Sequence, residues 1–218
     1  MLRKFKKAKN ITFRDYREEL TLVLALFLIS LFAGIMQSVT PPEFVGQVLD
    51  QLIAIIDEIG VSNSVDIFAF ILINNLIAVF SVIIGGIIFG ISPVLSSAVN
   101  GYIIGIVVGQ MINSGDGWLV LPGILPHGIL ELPALFIAIA LGLRLGRKFF
   151  ACLKTMPGKS RGFADWYRKT INALRPLELE VLASLKYAWY VIVPLIAISA
   201  LIEATATPAL IDYVQNSL

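Results

Sequence analysis

Five stretches of this chain, roughly residues 20–39, 66–91, 93–113, 119–145 and 188–210, are nearly uninterrupted runs of apolar residues. A bilayer's hydrocarbon core is about 30 Å thick and takes about 20 residues of helix to cross, so each run is long enough to span it. Only 15% of the 218 residues are charged and 57% are hydrophobic. The mean hydropathy of +0.85 lies far above that of soluble domains, which are about 25% charged. The expected fold class is therefore all-α, a polytopic membrane helix bundle of five transmembrane helices.

The basic residues set the expected orientation. Of the 17 Lys and Arg residues, seven precede the first span (Arg3 to Arg17) and ten lie between Arg144 and Lys186. Basic segments flanking spans stay on the cytoplasmic side. The N-terminus and the basic segment 146–187 then face the cytoplasm, while the 40–65 loop, the NSGDG turn at 113–117 and the C-terminus face outward, in a multi-pass cell-membrane protein. The start MLRKFKKAK resembles the basic end of a signal peptide, but the apolar run from Leu20 to Met36 exceeds the usual 7–15 residues and no clear A-x-A site follows. It is read as a retained helix. Cys152 is the one cysteine, so no internal disulfide forms; its basic surroundings beside a membrane face raise S-acylation, with an inert thiol as the simpler reading.

Two connecting segments carry helical amphipathicity. Residues 42–60 place Phe44, Val45, Val48, Leu49, Leu52, Ile53 and Ile56 on one face beside an acidic edge, which suits a helix lying on the outer interface or docking a partner. On the inner side Phe163, Trp166, Tyr167, Ile171 and Leu174 share a face with Arg168, Lys169 and Arg175 off it, as in a helix resting on an anionic leaflet. This charge serves topology, so no nucleic-acid partner is expected.

Spans two and three form a tight hairpin through GISPVL, where Ser92 is a fitting N-cap and Pro93 a fitting first helical residue. Gly101, Gly105 and Gly109 then make two consecutive G-x-x-x-G steps. Small residues at this spacing let helix backbones approach closely, either within the chain or in a homo-oligomer, most simply a dimer.

The ionisable residues inside the spans are the candidate site. Counting 1.5 Å per residue along straight helices, Glu131 falls near the midplane of span four and His127 about 6 Å further out. Glu203 of span five and Asn74 and Asn75 of span two come to a similar outer depth. His127 and Glu131, four apart, share a helix face, although Pro122, Pro126 and Pro133 predict a kink or an extended or re-entrant start near 119–126. A small polar cavity open to the outer half is expected, walled by span four, Asn74 or Asn75, and Glu203. An acidic residue at a helix centre costs on the order of 3 kcal/mol and faces inward, pairs, or lines a water path. A structural polar clamp and a proton or ion site are both open readings, and Asn100 belongs with the interhelical hydrogen-bonders. One His with two Glu is also a zinc ligand set, but H-E-x-x-H is missing and no second His or Cys is near. Metal stays a minor alternative, and no cofactor is expected. Serine or cysteine nucleophilic catalysis is rejected, since the single His has no G-x-S-x-G partner.

At these residues the chain resembles the stage II sporulation protein M family. The pieces are NNLIAVFSVIIGGIIFGI (74–91), NGYIIGIVVG (100–109), LPHGILELPALFIAIALGLRLG (125–146) and LIEATATP (201–208), with the PHG-x-x-E core the most specific. The resemblance implies an integral membrane component rather than a hydrolase, which in spore formers works with partner proteins in cell-wall remodelling during engulfment. It also implies that Asn74, Asn75, Asn100, Gly101, His127, Gly128, Glu131 and Glu203 are the family's shared intramembrane residues. Gly128, with the glycine stripe, is a helix-packing position. The reading is a non-enzymatic membrane protein carrying a small solute or ion, or alternatively a scaffold for envelope partners.

Cysteine labelling in intact cells tests the orientation. In a Cys152→Ala background, Ser62→Cys is expected to react with an impermeant reagent from outside and Ser160→Cys to react only after permeabilisation. Labelling of Ser160→Cys from outside overturns the assignment.

Overall fold

The computed structural model describes residues 8–43, 46–47, 64–115, 117, 120–158 and 160–216, with side chains omitted at 64, 121–128 and 206–216. The described residues are all-helical: α1 Phe13–Gln37, α2 Ser64–Gly85, α3 Ile91–Asn113, α4 Val120–Lys154, α5 Phe163–Tyr187 and α6 Val193–Asn216, with a π-helical turn at Ala188–Ile192 joining the last two. Five stretches among them are long and apolar enough to cross a membrane, the fifth within the continuous run Phe163–Thr205. Most of the amphipathic segment 42–60, expected on the outer interface, lies outside the described residues.

α1 starts where the sequence supplies a cap. The Thr12 backbone N–H and hydroxyl each donate to Asp15 Oδ2 at 2.9 Å, so the Asp15 carboxylate also satisfies the positive end of the helix. Lys9 pairs with its other oxygen at 2.6 Å. The hairpin between α2 and α3 is as tight as expected, but its cap differs. The N-cap is Gly90, left-handed at φ 71, a conformation glycine adopts without a Cβ clash. Phe89 precedes it at φ 56. Ser92 and Pro93 therefore sit inside the first turn of α3 rather than at its cap, where proline's missing donor still costs nothing because the first four N–H groups have no helical acceptor.

Span four differs too. In place of an extended or re-entrant start, α4 is helical without a break from Val120 for 35 residues. Pro122 falls in the first turn, where the donor it lacks would have had no partner.

Glycine decides how these helices meet. On α3, Ser97, Gly101, Gly105 and Gly109 are buried, and they form one stripe of four-residue steps against α1, the most extensively packed pair in the bundle. A Cβ at Gly105 would overlap the Leu31 carbonyl, and one at Gly34 the Tyr102 carbonyl. The Ser97 hydroxyl reaches across to the Val23 carbonyl at 3.0 Å, and Asn113 donates to Ser38 Oγ at 3.0 Å. The G-x-x-x-G stripe is thus an intra-chain seam, and a dimer would need other surfaces.

A second seam joins α2 and its turn to α4. A Cβ on Gly86 would overlap Gly142, and one on Gly146 would lie 2.6 Å from the Gly90 nitrogen. α4 is consequently the central helix. It packs on α1, α2, α3, α5 and α6, and Ala138 to Leu141 are each fully buried, so no face of that segment is left to lipid.

Gly105→Val should lower unfolding stability in detergent by about 1–3 kcal/mol or more, the cost of overpacking. Gly158→Ala, where an added Cβ meets nothing within 4 Å, should stay within about 0.5 kcal/mol. Equal stability of Gly105→Val and the native protein would remove the seam.

Candidate functional site

α3 presents two different faces. Its glycine stripe faces α1, while Asn100, Ile103, Ile104 and Val107 line a cavity of about 230 Å³ whose other wall is Glu131, Leu132 and Leu135 of α4. The spacing explains the division, because residues three, four and seven apart share a helical face and Asn100 to Val107 follow it one position off the stripe. At about 30 Å³ per water the space admits several waters or a small solute.

Two polar side chains mark the otherwise apolar wall. The Asn100 amide nitrogen donates to the Ser96 carbonyl of its own helix at 2.8 Å and lies 3.4 Å from Ser96 Oγ, which leaves Oδ1 as an acceptor. Across from it stands the Glu131 carboxyl, whose Oε2 is enclosed by protein. Together they offer oxygen atoms and a titratable group inside an apolar shell, which suits a proton, a small cation or a small hydrogen-bonding solute.

The other sequence candidates fall elsewhere. Glu203, on α6, does not line this cavity; its Oε2 is also enclosed, and the fully buried Ser199 lies one turn before it. α6 packs against α2 and α4. Asn75 is half-buried on α2, whereas Asn74 is exposed. His127 and Gly128 belong to the helical backbone of α4, their surroundings outside the described residues. The structure therefore brings Asn100 and Glu131 to one cavity.

A second polar centre, at the opposite end of α4, was not singled out from the sequence. Arg144 Nε donates to Glu180 Oε1 of α5 at 2.5 Å, and its Nη1 donates to the Asp15 carbonyl of α1. Arg147 Nη1 donates to Glu19 at 2.7 Å and to Glu18 at 3.4 Å. Glu19 is only 4% exposed. Nearby, the Tyr16 and Tyr187 hydroxyls meet at 2.9 Å and Lys186 donates to the Ala8 carbonyl at 3.2 Å. Counting basic residues for topology hid this network; the available signal was the acidic set Asp15, Glu18, Glu19 and Glu180 interspersed among them. Cys152 is buried at 2% exposure, which shields its thiol from acylation.

Fold and site together define a class: an all-helical, multi-pass membrane protein with polar groups enclosed within its spanning bundle. Within that class the chain belongs to the stage II sporulation protein M family, whose model matches residues 23–208, a range that includes both glycine seams and the cavity. It is similar to an uncharacterized protein of Methanocaldococcus jannaschii, with 29% identity over 147 residues covering 67% of this chain and 74% of that one. No solved structure matches the chain significantly.

The side chains of Arg144 and Glu180 are 23% and 13% exposed, so their pair is better shielded than a surface ion pair. A double-mutant cycle of Arg144→Gln and Glu180→Gln should give a coupling energy of about 0.5–3 kcal/mol in detergent-solubilised protein. Strict additivity would show that the pair contributes nothing.

Proposed function

We propose that this protein is a non-enzymatic membrane component that binds and passes a small solute or ion through the cavity between α3 and α4. The carrying observation is a carboxyl, Glu131, in the wall of a cavity of about 230 Å³ whose other polar lining residue, among the described residues, is Asn100. Holding an acidic group within a spanning helix costs on the order of 3 kcal/mol. A carboxyl in a cavity wall can take up and release a proton or a cation, and this makes Glu131 the group whose occupancy couples to transport. Asn100 Oδ1 supplies a neutral oxygen acceptor beside it, as partly dehydrated cations and hydrogen-bonding solutes require.

The orientation that accompanies this reading has the N-terminus and the basic ends of α4 and α5 in the cytoplasm. It rests on the two clusters that hold every Lys and Arg. Glu131 lies on the outer side of Arg144 along α4, so the cavity would load from outside.

Reconstitution tests the proposal. Liposomes containing the purified protein, with an imposed H⁺, Na⁺ or K⁺ gradient and a trapped indicator dye, should show flux of at least one ion above protein-free liposomes. Glu131→Gln should reduce that flux at least about ten-fold, corresponding to about 1.4 kcal/mol, while remaining folded and monodisperse. No flux for any of the three, or equal flux from Glu131→Gln, overturns ion passage and turns attention to the scaffold alternative, in which the same bundle holds envelope proteins.

A further inference from the structure

The inner-end network surrounds a cavity of its own. It has a volume of about 240 Å³ and is lined by Glu19, Arg144, Arg147, Lys148, Ala151 and Glu180. Three basic side chains meet two carboxylates in its lining, and the largely exposed Glu18 carboxylate reaches Arg147 from outside it at 3.4 Å, so what marks the cavity is its number of hydrogen-bond donors rather than a net charge.

The hydrogen-bonding inventory points the same way. A guanidinium carries five N–H donors. Among the described residues Arg144 uses Nε and Nη1, and the largely exposed Arg147 uses Nη1 alone, which leaves Nη2 of both and Nε of Arg147 available. Lys148 is half-buried and, among the described residues, forms no hydrogen bond or ion pair. A partly desolvated ammonium with no counter-ion is unfavourable. What completes the group is an anion with several acceptor oxygens.

The depth of the cavity narrows its chemistry. Arg144 ends the apolar run of α4, and the exposed Trp189 and Tyr190 follow α5 at the start of the last span, where aromatic residues mark the membrane–water boundary. Phosphates of lipid head groups lie at this level. We infer that the cavity between the inner ends of α1, α4 and α5 binds a phosphate anion, held by Lys148 with the remaining donors of Arg144 and Arg147. A phosphate offers short charge-assisted bonds to exactly these groups, and its source is either an anionic phospholipid or soluble phosphate. This site is independent of the Glu131 cavity and of what that cavity carries.

Binding measured on the full-length protein in a neutral detergent separates the sources, by native mass spectrometry for short-chain phosphatidylglycerol and phosphatidylcholine and by calorimetry for inorganic phosphate. Lys148→Gln should weaken binding of the anionic probe about five-fold, the contribution of one basic side chain at an anionic surface. Lys148→Arg should restore it. Lys154→Gln, further along α4 and not part of the cavity, should leave affinity unchanged. Since Lys148 forms no bond among the described residues, Lys148→Gln should keep the native melting temperature without ligand. A Lys148-dependent preference for phosphatidylglycerol over phosphatidylcholine places the phosphate on a lipid, and Lys148-dependent binding of inorganic phosphate alone makes it a soluble ion; either upholds the site. Equal affinities of Lys148→Gln and native protein for both anionic probes overturn it, as does an equal loss in Lys154→Gln.

Discussion

Backbone contact at glycine is the constraint on which the rest of this molecule depends. Lipid tails are as apolar as leucine, so helices within a bilayer gain little from hiding apolar side chains from it and associate through close packing and interhelical hydrogen bonds. Here Gly34, Gly101 and Gly105 bring α1 against α3, and Gly86, Gly142 and Gly146 bring the α2 hairpin against α4. These two seams fix three helices around α4 and determine which of its faces remain for a cavity. The Ser97 and Asn113 hydrogen bonds then pin the first seam at both ends.

The cavity follows from that geometry. With the glycine stripe of α3 committed to α1, the adjacent face carrying Asn100, Ile103, Ile104 and Val107 is turned toward α4. Its branched side chains stand off where glycines would have allowed contact, and the gap at Glu131 is the result. At the other end of α4, Arg144 and Arg147 tie α1 and α5 to the same helix. One helix thus anchors both the carboxyl within the span and the charged network at its other end.

Much of the fold was legible because bilayer thickness and charge placement act on whole segments. Five apolar runs, the tight hairpin and the amphipathic stretch beginning at Phe163 all needed only composition and period. Capping at Gly90 was harder to read, since Ser92 and Pro93 are good capping residues and the left-handed Gly90 wins only because the turn must reverse within five residues. The uninterrupted α4 was obscured by its three prolines, of which Pro122 alone stands in the first turn. For the site, rise per residue gives depth and nothing else. It set His127, Glu203, Asn74 and Asn75 at comparable heights but could not give the direction each faces, which depends on the seams; Asn74 is exposed, and the cavity lining takes Asn100 and Glu131 but not Glu203. The pairing of Arg144 with Glu180 joins residues 36 apart on different helices, beyond the reach of local pattern.

The central claim is that Glu131 faces a largely apolar cavity between α3 and α4 that it shares with Asn100, and a side-chain-resolution cryo-electron microscopy map of the protein in a lipid nanodisc tests it most directly. The account predicts the Glu131 carboxyl turned toward Asn100, with density for water, an ion or a solute between the two helices. A Glu131 side chain turned to lipid, or aliphatic side chains from α3 and α4 closing the space at Ile104 and Leu135, would contradict it.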